Sequence, residues 1–204
     1  MSEPVVLSGS GLQIRFEFVG DRFVHSIAAV NQQDDEQVVP LATSEEGTDE
    51  QDWPASPAFQ ELHLQEVDTR PLAMLVGATT SGHFSLAVDF DPATGRAVFD
   101  AACRVKKSPA ETPRLGSTYR TMVAPQRVVP GPVDGFSPGS EAARLQLGDV
   151  SLRVQMEPVE AARDEGEAQD SMVLTEAGLT IAPAISSVDY PYTFRWRYVV
   201  ERLG

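Results

Sequence analysis

Basic residues are scarce in this chain: 16 Lys and Arg stand against 30 Asp and Glu in 204 residues, a formal net charge of −14. Proteins that bind nucleic acid need a basic footprint to release phosphate counterions, and anionic membranes recruit basic patches, so the composition argues against both partners. Cysteine occurs once, at Cys103, which excludes an intramolecular disulfide; small secreted domains usually carry several. No run approaches the roughly 18 consecutive apolar residues of a membrane-spanning helix. The opening Met1-Ser2-Glu3-Pro4-Val5-Val6-Leu7 has neither the basic start nor the apolar stretch of a secretory signal. Cytoplasmic localisation is the expectation. Helical periodicity is almost missing, and there is neither βαβ alternation nor a Gly-rich phosphate loop, which argues against a nucleotide-binding α/β fold.

What the chain does contain is alternation of period two. Hydrophobic residues make up 42%, enough for a packed core. Leu12, Ile14, Phe16 and Phe18 alternate with Gln13, Arg15 and Glu17, the pattern of a half-buried strand whose side chains point to opposite faces in turn. Gly20-Asp21 then offers a tight turn, with Arg22 to Val30 as the returning strand. Phe84, Leu86, Val88 and Phe90 form one row, Ala97, Phe99, Ala101, Cys103 and Val105 the next, joined by Asp91-Pro92-Ala93-Thr94-Gly95; this reads as a hairpin closed by strong turn formers. Further strands are expected at 60–68, 72–79, 117–124, 143–157 (split near Gly148-Asp149), 172–175 and 179–182. Tyr192, Phe194, Trp196, Tyr198 and Val200 mark the last. Residues 158–165 suit either a short helix or an acidic surface loop.

Roughly eleven short strands separated by turn signals predict an all-β fold, an antiparallel β-sandwich. One domain over residues 1–204 is expected. Its long connections would be an acidic loop at 31–57, holding at most a short strand at 37–41, and a Pro/Gly-rich stretch at 125–142. Between Arg22 and Arg70 there is no Lys or Arg, while eleven acidic residues from Asp34 to Asp68 fall there. Such a run either recruits a basic partner or cation, or is a solvated loop that keeps the protein soluble and discourages edge pairing.

Candidate chemistry is thin. Gly135-Phe136-Ser137-Pro138-Gly139 has the form of a serine-hydrolase elbow, but Pro138 has no N–H to give the oxyanion and all three histidines precede Ser137, so it reads as a loop. Asp89-Phe90-Asp91 begins like a calcium loop and then loses the spacing at Pro92; a turn in which Asp91 bonds its own backbone fits better. His25, His63 and His83 lie on three different predicted strands, where Glu61, Glu66 or Asp89 could join them as base or ligand. With no paired-histidine motif, no metal and no cofactor are assigned. Asp100 is a further carboxylate on a strand. Cys103 on an apolar row reads as core filler, and the stripe from Tyr192 to Tyr198 reads as core as well. Trp53 is either a plug over an open end of the sandwich or an exposed platform for a ligand.

The expected function is a binding or interaction module without catalytic activity, with the Trp53 loop and a sandwich edge as contact surface. The alternative is a carbohydrate-active protein (epimerase, hydrolase or lyase), with His63, His83 and Glu61 near one another and Trp53 as platform. Partners are accordingly a protein or a small carbohydrate. The oligomeric state is open, a homodimer through a sheet edge included.

Overall fold

Alternating apolar residues stay dry only if two faces meet, and the chain achieves this by stacking two antiparallel sheets. The computed structural model describes residues 3–31, 34–48, 51–110, 112–128, 141–147, 149–159, 170–185 and 188–203. The first sheet runs, in spatial order, β1 (Val5–Gly9), β2 (Leu12–Val19), β3 (Arg22–Asn31), β4 (Asp34–Ser44), β9 (Ser117–Thr121), β14 (Gly178–Ala182) and β13 (Ser171–Thr175). The second runs β10 (Gln126–Val128), β11 (Ala142–Leu147), β12 (Val150–Glu157), β15 (Tyr192–Leu203), β8 (Arg96–Val105), β7 (Gly82–Asp91), β6 (Arg70–Ala78) and β5 (Glu61–Val67). The fold is an all-β antiparallel sandwich. Among the described residues there is no helix, hence none long and apolar enough to cross a membrane.

The core lies where the two inner faces meet. From the first sheet come Leu12, Ile14, Phe16, Ile27 and Leu41; from the second, Leu75, Phe90, Phe99, Trp196 and Tyr198, all fully buried. The expected hairpin of β7 and β8 is present, in register from Gly82↔Val105 to Asp91↔Arg96. Asp91 Oδ1 accepts the backbone N–H of Ala93 at 2.9 Å and of Thr94 at 3.3 Å, fastening the turn as the sequence implies. In the aromatic stripe Phe194, Trp196 and Tyr198 are buried and Tyr192 is exposed. Cys103 fills core space, and burial pushes its thiol up to about 12.

The chain departs from its sequence pattern most clearly at β4. Residues 31–57 read as a loop with at most a short strand, yet eleven of them, Asp34–Ser44, form a strand between β3 and β9. Pro40 is tolerated there for a reason. The β3–β4 register slips by one residue between Ile27↔Ala42 and Ala28↔Pro40, so Leu41 bulges and both Leu41 and Ala42 are buried. On its other side β4 pairs with β9 only over Ala42–Ser44, where no proline N–H is needed. Two short strands, β1 and β10, also go beyond the sequence reading. Ser137, and most of the 158–165 segment, lie outside the described residues.

One rim of the sandwich is closed by side chains. Arg127, on β10, pairs with Glu141 at 3.0 Å. The same two residues bond the backbone of β13: Met172 N–H donates to Glu141 Oε2 at 2.5 Å, and Met172 C=O accepts from Arg127 Nη2 at 3.1 Å. An ion pair thus stands where a neighbouring strand would be.

Candidate functional site

After Ser44 the chain leaves the first sheet and crosses to the second, reaching β5 at Glu61. This crossing is pinned at several points. Glu45 N–H donates to Thr118 C=O at 2.8 Å. Ser56 Oγ donates to Thr118 C=O at 2.9 Å and accepts Thr118 N–H at 3.1 Å. Phe23 N–H donates to Phe59 C=O at 2.7 Å, and Thr79 Oγ1 to Asp52 C=O at 2.9 Å. Pro54, Ser56, Pro57, Ala58 and Phe59 are buried. The acidic segment is therefore tied down over the end of the sandwich.

Trp53 sits half-buried in this crossing, packed on the core. A methyl group on Gly82 would crowd Cys103 Sγ at 2.9 Å and touch Trp53 Cζ3 at an ordinary 3.4 Å, so Gly82 leaves room for the buried thiol beside the indole. Two clefts flank the segment. One, of about 530 Å³, is lined by Ser44, Glu45, Glu46, Thr48 and Arg120 among others. The second, of about 470 Å³, is lined by Trp53, Arg114, Thr118, Thr180 and Ile185 among others. Gln51 and Ala55 line both.

Beneath the first cleft runs a buried polar chain that sequence reasoning missed. His25, Ser44 and Tyr119 stand on the neighbouring strands β3, β4 and β9, and Ser44 pairs with Tyr119 in register. Tyr119 Oη lies 2.7 Å from His25 Nε2 and 2.5 Å from Tyr198 Oη of the opposite sheet. On the same strand as Tyr119, Ser117 Oγ accepts Trp196 Nε1–H at 2.9 Å. With His25 neutral and its Nε2 accepting, Tyr119 donates to His25 and Tyr198 donates to Tyr119, so both phenol hydroxyls are satisfied. Burial favours that neutral form, lowering the His25 pKa from 6.5 to about 4. Burial also raises Tyr119 well above its ordinary value and Tyr198 to about 12, so neither ionises in the physiological range.

At the mouth of the chain is Glu46. His25 N–H donates to Ser44 Oγ at 3.0 Å, and Ser44 Oγ donates to Glu46 Oε1 at 2.6 Å. The other oxygen, Oε2, is buried with no hydrogen-bond partner among the described residues. Burial raises the Glu46 pKa from 4.5 to about 7, against the opposing pull of the Ser44 bond and the Arg22 charge. Arg22 is itself buried and grips Asp21 with two bonds of 2.8 and 2.9 Å, which holds the Asp21 carboxyl below its usual range. A signal for Glu46 exists in the sequence: Ala42, Ser44 and Glu46 continue the period-two row of β4.

The residues singled out from sequence are arranged differently. Glu61 and His63 come together, 3.5 Å apart, on the solvent face of β5. His83 shares that outer face, but it pairs with Ala78 of β6 whereas His63 pairs with Met74. That offset is roughly 13 Å along the strands and roughly 10 Å across them. His25 is buried in the other sheet, so the three histidines do not converge. Trp53 lies on the inner side of the second sheet. Of the other strand-borne carboxylates, Asp89 pairs with Arg70 at 3.1 Å and Asp100 with Arg195 at 3.0 Å. Glu66, on the rim strand, is exposed. Among the described residues no three His, Cys, Asp or Glu side chains are grouped to hold a metal ion. No protein-family model matches the chain, and no curated protein matches its sequence.

Proposed function

We propose that the protein is a non-catalytic, cytoplasmic binding module whose contact surface is formed by the anchored residues 45–48 and 51–55 with the clefts on either side. The observation that carries this reading is the pair of clefts, about 530 and 470 Å³, divided by one segment fastened to both sheets. Each is of a size that takes a small molecule or an inserted side chain, and a tied-down rim loses little entropy on binding. Trp53 offers an apolar plane beside the hydroxyls of Thr118 and Thr180, which are 3.1 Å apart. That combination favours a small carbohydrate as the ligand of the second cleft, since sugar C–H faces pack on aromatic rings while the hydroxyls find polar partners. Glu61, His63 and His83 line neither cleft.

Ala55 is the test position, because it is exposed and lines both clefts. Thermal shift against mono- and oligosaccharides, divalent cations and basic peptides should show a rise of several degrees with one class at about 100 times its Kd. Ala55→Arg should abolish that rise and leave the midpoint of the free protein unchanged. A rise that survives Ala55→Arg, or chemical conversion of the ligand, overturns the reading.

A further inference from the structure

Of the four edge strands β1, β13, β10 and β5, two are finished in contrasting ways, β13 and β5. At one, the β13 backbone is engaged by Arg127 and Glu141. At the other, β5 pairs only with β6, six of its seven residues are exposed, and the seventh, Leu62, is half-buried. Among the described residues no side chain bonds the free backbone edge of β5. The strand carries no lysine, no proline and no bulge, and its register with β6 is unbroken from Glu61↔Val76 to Val67↔Arg70. Lysine, proline and bulges are among the devices that blunt an edge, and the only full charges β5 carries are the acidic Glu61 and Glu66. Leu64 and Val67 are 53% and 46% exposed, leaving apolar surface for an added strand to cover.

Charge decides the occupant. Glu61, Glu66 and Asp68 lie on or beside β5, no Lys or Arg occurs from 23 to 69, and Arg70 is held by Asp89. A second copy paired about a two-fold axis at Leu64 would bring four glutamates and two Asp68 carboxylates together with no cation of β5 between them. That repulsion disfavours self-pairing. We propose that β5 is a strand-addition site for an extended basic segment of a partner protein, separate from the clefts at the loop end. The strand's two faces specify the segment. Apolar residues at alternate positions would meet Leu62 and Leu64, and a Lys or Arg at each end would meet Glu61 and Glu66. Main-chain bonds supply affinity and the side-chain pattern supplies selectivity.

The probe is a fluorescein-labelled peptide Lys-Thr-Val-Thr-Val-Lys, with a control carrying glutamate for both lysines. By fluorescence anisotropy the basic peptide should bind and the acidic one should not. The double change Glu61→Lys and Glu66→Lys should weaken binding about tenfold, and its exposed positions leave the fold intact, which an unchanged melting midpoint verifies. Hydrogen exchange should slow at β5 amides and stay unchanged at β13. Ala55→Arg should bind the peptide as the native protein does, so failure here is distinguishable from failure of the cleft reading. Equal binding of the two peptides, protection at another strand, or no binding at about millimolar peptide would overturn the proposal. Protection of β5 that grows with protein concentration alone would also overturn it and give the edge to a second copy.

Discussion

Glu46→Gln is the perturbation that bears most directly on the buried polar chain. Folded Glu46 holds its proton to about pH 7, whereas the unfolded side chain loses it near 4.5. Between those values the folded state binds more protons, so the stabilisation is fully present below 4.5 and is lost as the pH rises through 7. At about 1.4 kcal/mol per pH unit, with a discount for solvent at the cleft, the loss is on the order of 2–3 kcal/mol. His25 acts in the opposite sense. Its folded pKa is depressed from 6.5 to about 4, so its contribution is present above 6.5 and is lost as the pH falls through 4. From about 4.5 to 6.5 the two nearly offset, and these groups leave the native protein's stability almost flat. The amide introduced by Glu46→Gln would still accept the Ser44 hydroxyl but could not ionise. The variant should match the native protein near pH 4.5, climb with pH to about 6.5, and end more stable by about 2–3 kcal/mol at about pH 8. Urea titrations followed by tryptophan fluorescence at several pH values measure this, with m unchanged. A gap between the two proteins that does not vary with pH, or a less stable variant at about pH 8, would refute the reasoning.

Three further outcomes can be checked the same way. Tyr119→Phe leaves both His25 Nε2 and Tyr198 Oη without their bond, and should cost about 1–3 kcal/mol in urea denaturation. In the β5–β6 turn, Asp68 and Thr69 have φ of 50° and 67°, a left-handed pair that suits Asn-Gly. Replacing Thr69 by Gly should raise stability by about 1 kcal/mol, read as a higher melting midpoint. Arg127→Ala removes the side chain that caps Met172 C=O and partners Glu141; hydrogen exchange at the Met172 amide should accelerate while the β7–β8 amides stay protected.

Much of the architecture was legible because half-buried strands write their two faces directly into the sequence. The rows of β2, β7, β8 and β15 each alternate over five or more residues, and turn chemistry at Asp91 marked the hairpin. β4 was obscured because Pro40 and the surrounding acids resemble a loop. Only the local slip opposite Ala28, and the short contact with β9, make proline acceptable there. The buried chain was less legible for another reason. His25, Ser44, Tyr119 and Tyr198 come from strands far apart in sequence, and nothing in their spacing encodes which sheet faces which. Glu46 sits in an acidic run with Glu45 half-buried and Asp52 exposed, so only the continued period from Ala42 separates it from them. His63 and Glu61 were brought together by simple i, i+2 proximity, while His83 needed the strand order to be placed.

The ion pair at the β13 rim also bears on how copies of this chain can join. Open-ended fibres through sheet edges need two compatible edges on every subunit, one to accept and one to offer. Here Arg127 and Glu141 engage the β13 backbone at Met172, which takes that edge away from a neighbour, while β1, β5 and β10 are the other edge strands of the two sheets. A strand offered by one copy finds no free partner at Met172 of β13, so the ion pair removes one route by which copies could join edge to edge.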